Sequence, residues 1–129
     1  MDRLRNHLKI LFQVLSLLLI VFYLYPGSIL GFLVYGDFKL QPKITADFYN
    51  ISSNHFYTFL IISLLGLFSY FKDIKFKMVV IYLFFLAIVL ELFHLIIPER
   101  GFQIPDLIGN IFGVLLAFFL IMLIKFLSK

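Results

Sequence analysis

Long apolar runs alternate with short polar segments along the chain, as in proteins that cross a membrane. The runs cover residues 10–25, 56–71, 78–97 and 107–124. Each approaches the length of about 20 residues that a helix needs to cross the hydrocarbon core. Including their flanking residues, the pattern predicts four transmembrane α-helices, over about 8–25, 55–71, 78–97 and 106–124. We therefore predict a single all-α membrane domain over residues 1–129.

Two segments near the N-terminus leave alternatives open. The first run follows Arg3, Arg5 and Lys9, a pattern shared by signal peptides and retained helices. Its end is aromatic (Tyr23 to Tyr25), whereas a cleavage site needs small residues, so we predict a retained helix. Residues 29–35 are apolar but too few to span the membrane. We predict that they are interfacial or re-entrant.

The composition agrees with a membrane protein. The chain is 63% hydrophobic and 14% charged, more apolar surface than a small soluble core can bury. The net charge of +4 comes from basic residues in short clusters between the runs, so no nucleic-acid partner is expected. The chain has no cysteine, which excludes disulfides and cysteine metal sites. We predict no cofactor, and membrane lipids as the surrounding partners.

The basic residues also predict the orientation, because Lys and Arg favour cytoplasmic loops. In a four-helix topology they divide eight against three between the two sides. The larger group is Arg3, Arg5, Lys9, Lys72, Lys75, Lys77, Lys125 and Lys129, and the smaller is Lys39, Lys43 and Arg100. We predict that both termini lie in the cytoplasm.

Glu91 is the most informative residue, because it lies inside the third apolar run. Counting back from Pro98 puts it about two turns, or roughly 10 Å, below the outer boundary. An ionisable residue at such a depth is costly and usually marks a functional site. His94 follows at i+3 and therefore shares its helix face.

A second polar stripe lies on the fourth predicted helix, where Asp106, Asn110 and Gly113 follow at i, i+4 and i+7. If the two stripes face each other, they form a pocket that opens outwards. Its candidate residues are His55, Glu91, His94, Arg100, Asp106 and Asn110. Gly109, Gly113 and Ala117 form a small-residue face that lets helices pack closely in lipid.

Four of these residues also have ordinary structural explanations. His55 suits a membrane interface, and Arg100 suits a solvated loop. Asp106 suits the N-terminus of a helix, where a carboxylate satisfies free N–H groups. Asn110 suits a hydrogen bond between helices. Glu91 is the hardest to explain in this way.

The ordered polar residues resemble the signature of the VanZ-like membrane proteins. The matching segments are 55–56 (HF), 91–94 (ELFH), 98–100 (PER) and 106–113 (DLIGNIFG), within a region of about 52–117. Two departures are His94, where the family has Gln, and residues 52–54, where it has an Asp-Lys pair. The resemblance implies a small multi-pass protein of the bacterial cytoplasmic membrane. The family is named after a protein associated with teicoplanin resistance, and its biochemical activity is largely undefined.

Three functions follow from these observations. The leading hypothesis is an envelope protein that is not an enzyme or whose activity is undefined. Its pocket would recognise a polar group on a lipid, a peptidoglycan precursor or a glycopeptide antibiotic, and Arg100 would bind the anionic group of that ligand. The second is a membrane-embedded metal-dependent hydrolase, because Glu91 and His94 have the i, i+3 spacing of some metal sites on helices, a weak candidate pair. The third is transport or proton relay, for which four short helices would have to form an oligomer.

Overall fold

The computed structural model describes residues 2–128, and 70% of the chain is helical. Five helices follow one another: α1 (Asp2–Leu24), α2 (Ile29–Tyr35), α3 (Ser53–Ser69), α4 (Phe76–Phe93) and α5 (Ile104–Leu127). Within the described residues no strand forms, and the extended backbone makes only an isolated bridge between Phe48 and Ile51. The predicted all-α class is confirmed.

Three helices are long and apolar enough to cross a membrane. They are α1 from Arg3 onwards, α4 and α5. Helix α3 is apolar but has 17 residues, slightly fewer than a perpendicular span needs. The membrane character is therefore supported by three helices, and the fourth span stays a prediction.

Most helix boundaries lie within three residues of the predicted ones, and two differ by more. Helix α1 begins at Asp2 instead of residue 8, so the basic N-terminal segment is helical. Helix α4 ends at Phe93 instead of residue 97, because Pro98 disfavours helical backbone before it and Glu99 has a positive φ of 61°. Glu91 consequently lies in the last turn of α4. It lies seven residues before Pro98, and its depth below the outer boundary stays a prediction.

The outward faces of the helices are apolar, as lipid contact requires. On α4 the exposed side chains recur every three or four residues: Met78, Ile81, Phe85, Ile88 and Leu92. The opposite face carries Leu83, Ala87 and Leu90, all of which are buried. A soluble helix would carry charged groups on its exposed face, so the natural surroundings of α4 are hydrocarbon.

The closest helix contact joins α5 to α3. A Cβ on Gly109 would lie 2.7 Å from the Ser52 carbonyl oxygen, and one on Gly113 would lie 2.6 Å from that of Phe56. Both glycines are buried, and so is Ala117 one turn further along. The small-residue face of α5 therefore brings the two helix backbones together, which places Asp106 and Asn110 beside His55.

The basic segments lie together at one end of the bundle. Lys9 of α1 forms an ion pair with Asp73, in the connection between α3 and α4. Lys125 near the end of α5 lies 5.5 Å above the ring of Phe76 at the start of α4. This arrangement is the one that the predicted orientation needs, although Lys129 lies outside the described residues.

The polar connection between α2 and α3, residues 36–52, folds over the opposite end of the bundle. Asn54 at the start of α3 binds it through both amide atoms, accepting from the Ile44 N–H and donating to the Pro42 carbonyl. Helix α2 precedes this connection, with Ser28 as its N-cap and Gly36 in the left-handed conformation at its C-cap. Residues within 28–44 therefore lie next to α1 and α3, and they line a cavity together with these helices.

Candidate functional site

Glu91 is fully buried where the end of α4 meets the start of α5. Its Oε1 accepts the backbone N–H of Gln103, the N-cap residue of α5, at 3.0 Å. The carboxylate thus lies at the positive end of the α5 dipole, which favours a negative charge. No hydrogen bond to its Oε2 forms within the described residues, and His94 Nδ1 lies 3.1 Å from this oxygen.

His94 lies between Glu91 and α1. Its Nε2 is 3.0 Å from the Tyr23 carbonyl oxygen, which can only accept, so Nε2 carries a hydrogen. The imidazole also stacks on the Tyr23 ring, with centroids 5.7 Å apart and planes 15° from parallel. These two contacts hold His94 with Nδ1 facing the carboxylate.

Asn110 determines which nitrogen of His55 carries a hydrogen. Its Nδ2 donates to the Ala87 carbonyl at 3.0 Å, so its Oδ1 faces the imidazole. His55 Nδ1 lies 3.0 Å from this oxygen and must donate, because two lone pairs would repel each other. The Tyr23 hydroxyl donates to the same oxygen at 3.1 Å and lies 3.0 Å from Nδ1. His55 Nε2 is therefore the nitrogen left with a lone pair in the neutral ring.

That lone pair faces another acceptor. His55 Nε2 lies 3.3 Å from Asp106 Oδ2, on a carboxylate that is 15% exposed. An imidazole lone pair and an ionised carboxylate repel each other at this distance, so a cation has to lie between them. A proton, on Nε2 or on the Asp106 carboxyl group, or a metal ion fulfils this requirement.

Glu91 lies beside the pair of His55 and Asp106, and these three residues form what we call the cluster. One donor atom each of His55, Glu91 and Asp106 lies within 4.8 Å of the other two. The group therefore contains an imidazole and two carboxylates, from three different helices. It differs from the predicted weak pair of Glu91 and His94, because Asp106 and His55 take the place of His94.

Arg100 is neither fully solvated nor bound to a carboxylate. Its Nε donates to the Tyr25 carbonyl at 3.1 Å, and its Nη2 donates to the Phe22 carbonyl at 2.8 Å. These carbonyls end α1 and have no partner inside the helix. Arg100 therefore caps α1, and the two bonds leave its other N–H groups for a ligand.

A cavity of about 250 Å³ opens beside the cluster. His55, His94 and Arg100 reach it, and Lys43 contributes a further cation. Its apolar wall comes from α1, α2 and the following connection, through Leu19, Phe22, Ile29, Leu30 and Ile44. Of the predicted pocket residues, Glu91, Asp106 and Asn110 do not line this cavity and lie behind His55.

Two residues around the cluster were missed by the sequence reasoning. Tyr23 was interpreted only as an interfacial aromatic residue, although it contacts His55, His94 and Asn110. Gln103 was not considered, and it contributes through its backbone N–H. The position of Tyr23 at the end of an apolar run is shared with Tyr25, so no local signal distinguishes the two.

No family model, curated protein sequence or solved structure matches this chain. The resemblance to the VanZ-like proteins therefore stays a prediction from its motifs. The geometry of the cluster is independent of that resemblance.

Proposed function

We propose that this chain is a VanZ-like envelope protein of the bacterial cytoplasmic membrane, with four spans and cytoplasmic termini. Its cavity binds the anionic end of an amphiphilic envelope molecule, such as a phospholipid or a lipid-linked peptidoglycan precursor. The observation that carries the proposal is the cavity itself, in which two cations and two imidazoles meet an apolar wall.

The charges around the cavity favour an anion. Arg100 and Lys43 line it, whereas the carboxylates of Glu91 and Asp106 are set back behind His55. A phosphate group accepts hydrogen bonds from guanidinium and ammonium groups, and these charged bonds are the stronger ones. The cations Arg100 and Lys43 therefore face the cavity, and the two carboxylates lie further from it.

The apolar wall favours a ligand that also carries a hydrocarbon chain. Leu19 and Phe22 belong to α1, whose exposed faces are apolar, so the cavity adjoins the surface that lipid would cover. A volume of about 250 Å³ is below the roughly 300–1,000 Å³ of pockets that enclose drug-sized molecules. It suits the headgroup of a lipid whose hydrocarbon chain remains in the bilayer.

The ionisable groups favour binding over transport. Glu91, His55 and His94 are buried together at one end of the bundle. The buried polar residues on the other half are serines, among them Ser16, Ser63 and Ser69. A site at one end is what a binding protein requires.

Binding can be tested with purified protein in detergent, by native mass spectrometry against phosphatidylglycerol and undecaprenyl phosphate. We expect both to bind more tightly than an uncharged diacylglycerol. Arg100→Ala and Lys43→Ala should each weaken binding about tenfold, as expected for one charge-assisted hydrogen bond. Lys77→Ala, an exposed lysine at the opposite end, is the matched control.

The Lys43 variant separates a lost ligand contact from a lost helix cap. Arg100 also holds α1, so its replacement lowers stability, whereas Lys43 is exposed and its side chain pairs with Asp47. Equal affinity of the wild type and the Lys43 and Arg100 variants for the anionic lipids would contradict the proposal. A preference for undecaprenyl phosphate would favour a peptidoglycan precursor.

The glycopeptide antibiotic is a separate ligand that rests on the resemblance alone. If it is the ligand, expression of the chain in a susceptible bacterium should raise the inhibitory concentration of teicoplanin. The Arg100→Ala variant should then lose this effect at an equal membrane level. An unchanged inhibitory concentration would remove the antibiotic from the proposal and leave the lipid.

A further inference from the structure

We propose that His55, Glu91 and Asp106 bind a divalent transition-metal ion such as Zn²⁺. The three side chains come from α3, α4 and the first turn of α5. One donor atom of each lies within 4.8 Å of the other two. Metal binding goes beyond the proposed lipid binding and does not depend on it.

The separation of His55 Nε2 from Asp106 Oδ2 fits shared coordination. Zn²⁺ bonds nitrogen and carboxylate oxygen at about 2.0–2.1 Å, which places two ligands of a tetrahedral ion about 3.3 Å apart. The observed separation is 3.3 Å. The distance between these two atoms therefore equals the one that shared coordination requires.

Glu91 supplies the second, independent observation. Its side chain is fully buried, and its Oε2 accepts no hydrogen bond from the described residues. The nitrogen facing it at 3.1 Å, His94 Nδ1, carries a lone pair in the neutral ring, because Nε2 donates to the Tyr23 carbonyl. A buried carboxylate oxygen without a donor is costly, so a cation in the cluster would satisfy it. Oε2 lies 3.9 Å from His55 Nδ1, the ring nitrogen that faces Asn110. A change in the side-chain torsions of Glu91 would bring a carboxylate oxygen to the ion, since its ligand atom lies within 4.8 Å of the other two.

The surroundings of His55 are those of a metal ligand. A metal-binding histidine usually donates its other N–H to an oxygen, which orients the ring and selects the tautomer. His55 Nδ1 does so towards Asn110 Oδ1, and the amide is itself oriented by its bond to the Ala87 carbonyl. The free lone pair on Nε2 then points at Asp106.

The ligand types narrow the metal. One imidazole nitrogen and two carboxylate oxygens suit Zn²⁺, Mn²⁺ or Fe²⁺, while Mg²⁺ and Ca²⁺ prefer oxygen alone. Three protein ligands leave a coordination position open. The Asp106 side chain is 15% exposed, so solvent reaches this side of the ligand set.

Zinc binding can be measured by titrating the tag-free, detergent-solubilised protein with Zn²⁺ in competition with a chromophoric chelator. We expect one equivalent to bind. Asp106→Asn and Glu91→Gln should each lower the affinity at least tenfold, because they remove a ligand charge. Both amides can still donate a hydrogen bond to the facing imidazole lone pair, so the fold should be retained.

Two controls isolate the cluster. Glu99→Gln removes an exposed carboxylate at the same end, and His7→Ala removes an exposed imidazole elsewhere. Both should bind Zn²⁺ like the wild type. The proposal fails if the wild type binds no stoichiometric Zn²⁺, or if the Asp106 and Glu91 variants bind it unchanged.

The lipid and the metal can be tested apart. Lipid binding is measured in the presence of a chelator and again with Zn²⁺, whereas the zinc titration contains no lipid ligand. Zinc binding without lipid binding would leave the metal site and overturn the proposed function. Lipid binding without zinc binding would support the proposed function and overturn the metal site.

Discussion

His55 Nε2 and Asp106 Oδ2 lie 3.3 Å apart, and Asn110 holds the opposite nitrogen of the ring as a donor. The geometry leaves one position between two electron-rich atoms, which a proton on either group or a metal ion can occupy. The same arrangement recurs in His94, where the Tyr23 carbonyl binds Nε2 and Nδ1 faces Glu91. Each imidazole–carboxylate pair therefore shares a proton or another cation at the end of the bundle.

The predicted orientation can be tested with single cysteines, since the natural chain has none. Tyr49 is 97% exposed in the polar connection, and Ile74 is 95% exposed between α3 and α4. We expect Tyr49→Cys to react with an impermeant maleimide added to intact cells, and Ile74→Cys to react only after permeabilisation. The two positions lie at opposite ends of α3. Labelling of both from the same side would show that α3 does not cross the membrane.

The contact between α3 and α5 predicts a specific sensitivity at Gly113. In Gly113→Ala the new methyl would meet the Phe56 carbonyl and the Leu60 backbone nitrogen, at 2.6 and 2.8 Å. Helix backbone cannot yield as a side chain does, so we expect a loss of about 1–3 kcal/mol. Thermal unfolding in detergent measures it. Gly101→Ala is the matched control, because nothing lies within 4 Å of its added methyl. Equal midpoints for the two variants would contradict this packing.

Tyr23 should support the cluster through its hydroxyl. Tyr23→Phe keeps the ring that stacks on His94 and removes the donor to Asn110 Oδ1. We expect a loss of about 1 kcal/mol of stability, as for one hydrogen bond in a buried network. Tyr49→Phe, at an exposed residue, should change nothing. A Tyr23→Phe variant as stable as the wild type would mean that the hydroxyl makes no net contribution.

The ion pair at the other end predicts a dependence on acid. The hydrogen bond from Lys9 lowers the pKa of Asp73 below its ordinary value. A lowered carboxyl pKa stabilises the fold above the unfolded-state pKa of about 3.9, and this stabilisation is lost as the pH falls through the folded-state pKa. Asp73→Asn should therefore lower the unfolding midpoint at pH 6 and have a smaller effect near pH 3.

The exposed Asp37 provides the control for the acid prediction. Its carboxylate accepts a hydrogen bond from the backbone N–H of Lys39, whereas that of Asp73 accepts one from a lysine ammonium group. Asp37→Asn should lower the midpoint at pH 6 less than Asp73→Asn does. If the effect of Asp73→Asn is the same at both pH values, the ion pair with Lys9 does not contribute to stability.

Part of the candidate site could be anticipated from spacing. Glu91 and His94 are three residues apart, and so must lie close together at the end of a helix. The approach of Asp106 to His55 was conditional on two helices facing each other. Their separation in the sequence contains no information on that contact, which is long-range. Gln103 escaped notice because its contribution is a backbone N–H, and every residue except proline has one.

The sequence by itself determined the class of the protein, because apolar runs of nearly twenty residues leave few other places than a membrane. It also determined where the costly polar residues lie along those runs. The tertiary structure alone decided where α4 ends, since the turn at Pro98 competes with the helix. It alone decided the partners of the imidazoles, because a tautomer follows from which acceptor lies beside each nitrogen. Those acceptors come from α1, α4 and α5, and only packing brings them together.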